Sequence, residues 1–294
     1  MVATLSVNIP SALDPAMSAV MLDGAIRVSG IDAFTWIRVR PATTKTIQKT
    51  DINPPGAPYA AVEGDDYVFS AITAGNDKTY TQAESRIAFE VAAFADLFLD
   101  RTAKMEFASQ IGASMARKLN SDAYAVLSDG FGDTGPDGVS LFSAAHPAET
   151  GGNQDNQATT ALTEGNLQAA LTIQRRMKTP DNILAGVNPS LLIVPPDLEY
   201  TARELVGAQI GTNTQANILA TKGLGVLVTP EFSDATDWFL LDPQVFRAYQ
   251  YVAKGSSPQQ WIDMDSDNWR VKDRMSYTQG YDGWRGAWGA QVAA

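Results

Sequence analysis

The chain has 294 residues, 45% of them hydrophobic and 19% charged, a balance that suits a folded protein large enough for one big core or two domains. It has no cysteine and a single histidine, His146, which excludes disulfide frameworks, thiol nucleophiles, Cys/His zinc sites and any Ser-His-Asp triad not built on His146. A net charge of −11 and a pI near 4.5 make it a poor candidate for gripping phosphates.

Residues 1–35 carry Pro10 and Pro15 and no sustained pattern, and read as an arm without a core of its own. This terminus lacks the basic and apolar regions of a secretory signal, and no run of 18 apolar residues predicts a membrane span. Phe34 to Arg40 reads as a strand, and Thr43 to Thr50 as a polar β-leaning segment. Asn53 to Pro58 is a turn signal, after which Tyr59 to Ile72 returns with Val62, Tyr67, Val68 and Phe69. Residues 36–72 together predict a long hairpin. It carries Lys45 and Lys49 on one limb and Glu63, Asp65 and Asp66 on the other. Two strands alone are marginal in water, so this hairpin needs its own domain or a neighbour to complete it.

Lys78 to Val91 alternates as one long strand. Asp100 to Asp129 contains no proline and repeats Phe107, Ile111, Met115 and Leu119 four apart. Ala108, Ala116, Ala123, Tyr124 and Leu127 widen that stripe, which predicts an amphipathic helix about 42 Å long, with Gly130 as its stop. A helix of that length is either an ordinary core element or a spine across an elongated subunit. Gly151 to Thr160 reads as a polar mobile loop. From Leu162 the texture is α/β: a helix capped by Thr163, a strand Ser190 to Val194, a helix opened by Pro195-Pro196, a loop from Gly207 to Ala220, then short strands at Val226–Thr229, Trp238–Leu241 and Phe246–Val252. Beyond Gly255 the pattern is β again and holds four of the six tryptophans, Trp261, Trp269, Trp284 and Trp288.

Catalytic motifs are missing: no GxGxxG after a strand, no Walker, GxSxG or HExxH pattern. Asp137, His146 and Glu149 are near in sequence, but His146-Pro147 sits among turn residues, where a structural hydrogen bond worth about 0.5–1.5 kcal/mol is the expectation. Asp263, Asp265 and Asp267 lack the glycine and terminal glutamate of a calcium loop, so a solvated turn is expected. No catalytic residue, cofactor or metal is expected.

Four segments in order resemble the major capsid proteins of tailed phages, in particular the Mu-like major head subunit family. They are Leu119 to Leu127 (LNSDAYAVL), Asp137 to Pro147 (DGVSLFSAAHP), Asn188 to Leu205 with its Pro195-Pro196 step, and Trp269 through Asp273-Arg274 to Gly286. The resemblance covers roughly residues 75–290 and implies an α+β, Hong Kong 97-like capsid fold. It implies an N-terminal arm (1–35), an extended hairpin loop (36–72) and a peripheral domain with the spine helix (73–130 and 255–294). The axial domain would be 131–254. The implied function is self-assembly into hexamers and pentamers forming an icosahedral shell around double-stranded DNA, without enzymatic activity. Implied partners are further copies of itself, a portal and decoration proteins, and either a separate scaffolding protein is implied or this chain is a processed form. The packaged DNA would be held without sequence-specific contact, no membrane is involved, and the place is the virion, after assembly in the host cytoplasm. Crosslinking through a lysine of the extended loop would fall on Lys45 or Lys49, but no motif supports it. The alternatives are a shell protein of an encapsulin-like compartment and a soluble carboxylate-dependent hydrolase.

Overall fold

The computed structural model describes residues 32–52, 60–67, 69, 74–96, 98, 100–146, 152–180, 182–207, 217–256 and 258–292. The expected arm before Asp32 and the turn at Asn53 to Pro58 lie outside these residues. After a short helix α1 (Ala93–Asp96), helix α2 runs Arg101–Ser128, 28 residues, as its stripe predicts. Asp100 caps it, its Oδ1 accepting from Ala103 N at 2.8 Å. Lys104 Nζ lies 2.6 Å from Asp96 and ties the first turn to α1.

The stripe is buried in two successive cores. Ala108, Ile111 and Met115 meet Trp269, Val271, Met275 and Tyr277. About two turns further on, Ala123, Tyr124 and Leu127 join Trp36, Phe142, Phe239 and Phe246. Phe107, expected in the stripe, lies at its margin, 38% exposed. Gly130 does not end the helix with a left-handed turn. The chain tightens instead into a 3-10 turn, Asp129–Phe131. Glycine is required there because a Cβ would meet Phe142 at 2.9 Å.

Two five-stranded sheets pack along this spine. In the first, β11 (Trp269–Tyr281) is central. One edge pairs antiparallel with β4 (Ala83–Val91), and the other with β9 (Ala248–Lys254) and β10 (Gln259–Ile262) in succession. β1 (Ile37–Pro41) adds to β9 in parallel, Ile37 opposite Ala248. The second sheet has the order β5 (Gln157–Ala158), β12 (Ala287–Ala290), β8 (Trp238–Leu241), β6 (Leu191–Val194), β7 (Gly225–Val228). It is buried on both faces, which explains the unbroken apolar run of β8. Phe239 and Leu241 face the spine, whereas Trp238 and Leu240 face α3 (Glu164–Arg175), α4 (Glu199–Gly207) and α5 (Ile218–Lys222) with Leu167, Ala202 and Leu219. Thr163 caps α3 as expected, Oγ1 accepting from Asn166 N. A 3-10 turn from Pro196 precedes α4. The expected loop to Ala220 contains the start of α5, which Asn217 caps through Leu219 N and Gly223 closes at φ +68°.

Three expectations change. First, residues 36–72 are not one hairpin. β1 leaves to join β9, and β2 (Thr46–Ile52) pairs instead with β3 (Ala74–Thr81), Thr46 opposite Thr81. The expected strand Lys78 to Val91 is therefore divided at Gln82 between β3 and β4. Burial decides this: Trp36 and Ile37 are 2% and 3% exposed and must enter the core, whereas residues 60–67 are exposed and form no strand. Second, sheet membership does not follow the expected domain limits of 131–254 and 255–294. β9 belongs with β11 and β12 with β8, because the chain crosses between sheets at Asp242–Arg247 and again at Asp282–Gly286. Third, the described part of the expected mobile loop after Gly151 is pinned. Asn156 is fully buried, donating to Leu141 O and Ala287 O and accepting from Ser143 N.

Candidate functional site

The β2–β3 ribbon stands on one face of the first sheet, and its base is fastened by side chains from both strands. Arg40 of β1 lies 4.0 Å from the Tyr249 ring centroid and donates to its hydroxyl. Lys49 sits above the same row, 5.4 Å from the Tyr249 ring and 5.6 Å from that of Tyr251, with its Nζ 3.1 Å from Asp282 Oδ1. Burial works against its charge, but the Tyr251 hydroxyl and the Asp282 carboxylate more than offset it and raise its pKa. On β3, Lys78 Nζ donates to Asp133 Oδ1 at 2.7 Å and to Thr134 O. Tyr80 OH donates to Tyr281 O at 2.9 Å and accepts from Tyr281 N at 3.1 Å. Burial pushes the Tyr80 hydroxyl far up and keeps it neutral. Gln82 closes the base, donating from Nε2 to Tyr251 O and from its backbone to Lys45 O.

Tyr80 can lie there only because residue 280 is glycine: a Cβ on Gly280 would come within 2.4 Å of the Tyr80 ring. Gly280→Ala is therefore expected to unseat Tyr80 and cost about 1–3 kcal/mol in urea unfolding. An unchanged midpoint would show that the ribbon does not rest on this contact.

The five residues singled out from the sequence separate. Lys49 is engaged by its own subunit, so it is not the open reciprocal charge the hairpin reading requires. Lys45 is exposed at the ribbon's base, and the Glu63, Asp65 and Asp66 segment is exposed. Asp65 shapes its own turn, Oδ2 accepting from Val62 N at 2.8 Å. Around it the chain exposes apolar side chains: Val62 is 75% exposed, Tyr67 86% and Phe69 93%. Tyr80, Lys78 and Asp282, which hold the ribbon, are missed by sequence reasoning. Only the placement of β3 marks the first two.

Two other groups are structural. His146 is buried between Asp137 and Asn156. Asp263 accepts from Ser266 Oγ and pairs with Arg270 at 2.8 Å in the β10–β11 turn. Arg270 also reaches Glu90, whose carboxyl is held below its usual range first by that bond and then by Asn268.

A family model described as phage capsid protein matches residues 79–290. No curated protein sequence matches. Among solved structures, that of Microbacterium phage Oxtober96 superposes with a TM-score of 0.60 at 11% identity, over 90% of this chain and 92% of that one. The capsid of cyanophage P-SCSP1u gives 0.59 at 10% identity, over 88% and 86%. A virus-like particle from Pyrococcus furiosus gives 0.58 at 10% identity, over 93% and 97%. At such identities these likenesses speak for the fold, and the family model carries the rest. The chain belongs to the phage capsid protein family: it is a structural major capsid protein with an α+β, Hong Kong 97-like fold.

Proposed function

We propose that the subunit assembles through hexamers and pentamers into an icosahedral shell around double-stranded DNA. The observation that carries this reading is the exposed apolar set Val62, Tyr67 and Phe69, beyond a ribbon whose base is fastened to the body. Large apolar side chains left in water in one subunit need a surface to cover them. A shell supplies the same surface at every contact. The first sheet with α2 would be the peripheral domain, and the second sheet with α3, α4 and α5 the axial one. A separate scaffolding protein, a portal and decoration proteins complete the proposal, as does assembly in the host cytoplasm. The net charge of −11 suits a lining that holds DNA loosely.

Glu63, Asp65 and Asp66 remain the proposed contact, now against basic groups of another copy, with Lys45 on the reciprocal side. Reversing Asp65 and Asp66 together to lysine is expected to reduce particle yield severalfold in sedimentation while leaving the subunit's melting temperature nearly unchanged. Normal particle yield would remove this segment from the interface. Deleting residues 1–30 is expected to leave a cooperatively melting subunit that assembles poorly, since the described core begins beyond them at Asp32 and Ala33. Loss of cooperative melting would place the arm in the core instead.

A further inference from the structure

His146, the chain's one histidine, is fully buried where the loop after α2 meets the return from β11 to β12. Its ring nitrogens face two oxygens: Nδ1 lies 2.6 Å from Asp137 Oδ2, and Nε2 lies 3.0 Å from Asn156 Oδ1. The Asn156 amide is fixed by the backbone. Its Oδ1 also accepts from Ser143 N at 2.8 Å, and its Nδ2 donates to Leu141 O at 2.8 Å and Ala287 O at 3.1 Å. Turned over, it would set an NH2 against an N–H and an oxygen against two carbonyls. A neutral imidazole carries one N–H and one lone pair, and here that lone pair would meet an acceptor. The indole of Trp284 is stacked on the ring at 3.9 Å between centroids and 11° between planes, a face that attracts a cation.

We infer that His146 is held as a doubly protonated imidazolium, ion-paired with Asp137 and stacked on Trp284, and pins the joint between the two sheets. Among the described residues, few charges surround it. Asp137 also accepts from Val139 N through its other oxygen. Arg285 places its guanidinium 4.6 Å from the Trp284 ring centroid and donates from Nε to Lys178 O, adding a positive charge on the Trp284 side. Tyr281, on which the Asp137 charge also acts, is kept neutral by burial. Without its second proton the ring would set a lone pair against the partly buried Asp137 carboxylate and loosen the joint between Asp137, Asn156 and Trp284.

Being alone, the His146 ring needs no assignment in a nitrogen–proton correlation spectrum of 15N-labelled full-length protein. At pH 7.5 two protonated ring nitrogens are expected; one protonated nitrogen overturns the inference. His146→Gln strands Asp137 without its counter-charge, so the double variant His146→Gln/Asp137→Asn is expected to melt at a higher temperature than the single one. A double variant no better than the single one would equally overturn it.

Discussion

Trp36→Ala is expected to lower the stability of the subunit by about 3–5 kcal/mol, the range for emptying a buried aromatic site. Trp36 is 2% exposed, with ring centroids 6.4 Å from Phe246 and 5.7 Å from Tyr124. It lies in the core where the spine helix meets both sheets, so the cavity cannot be filled by a surface movement. Its neighbours tie the same segment down: Tyr124 OH donates to Asp32 Oδ1, and Ala33 N donates to Asn120 Oδ1. Burial, the largest influence, raises the Asp32 carboxyl despite the Tyr124 bond. Phe34, two residues away and 48% exposed, is the control: its alanine variant should differ from wild type by less than about 0.5 kcal/mol. Equal effects of the two in urea unfolding would show that Trp36 does not sit in this core.

His146→Ala is expected to cost about 2–3 kcal/mol, the upper part of the range for leaving buried polar groups without their partner. This exceeds the loss of about 0.5–1.5 kcal/mol expected for a single loop hydrogen bond. The difference arises because the ring bonds at both nitrogens and stacks on Trp284, so its removal leaves Asp137 and Asn156 Oδ1 facing a hole. A loss near 1 kcal/mol in equilibrium unfolding would show that water refills the site and satisfies both groups.

The spine helix was legible because its stripe, its Asp100 cap and its lack of proline all speak within one segment. The α3 cap at Thr163 and the apolar runs of β6 and β8 were legible for the same reason. What the sequence hid was pairing at long range. IRVRP can form a strand anywhere; that it joins β9 rather than β2 depends on where Trp36 and Ile37 find a core more than 200 residues away. The ribbon's true second strand, Ala74–Thr81, has no large apolar side chain but Tyr80, which seats itself only because residue 280 is glycine. The exposed acids at Glu63, Asp65 and Asp66 could be named from composition. Lys49 could not be excluded as their partner until Asp282 and the two tyrosine rings were placed around it. Asn156 was hidden inside a run of polar residues, where only the backbone groups of Leu141, Ser143 and Ala287 reveal its burial.

Electron microscopy of the purified protein at high concentration decides whether this subunit builds a closed shell. Hollow particles of uniform diameter, with pentameric and hexameric units on their surface, are expected. A protein that stays monomeric, with and without a scaffolding protein, would rule the shell out.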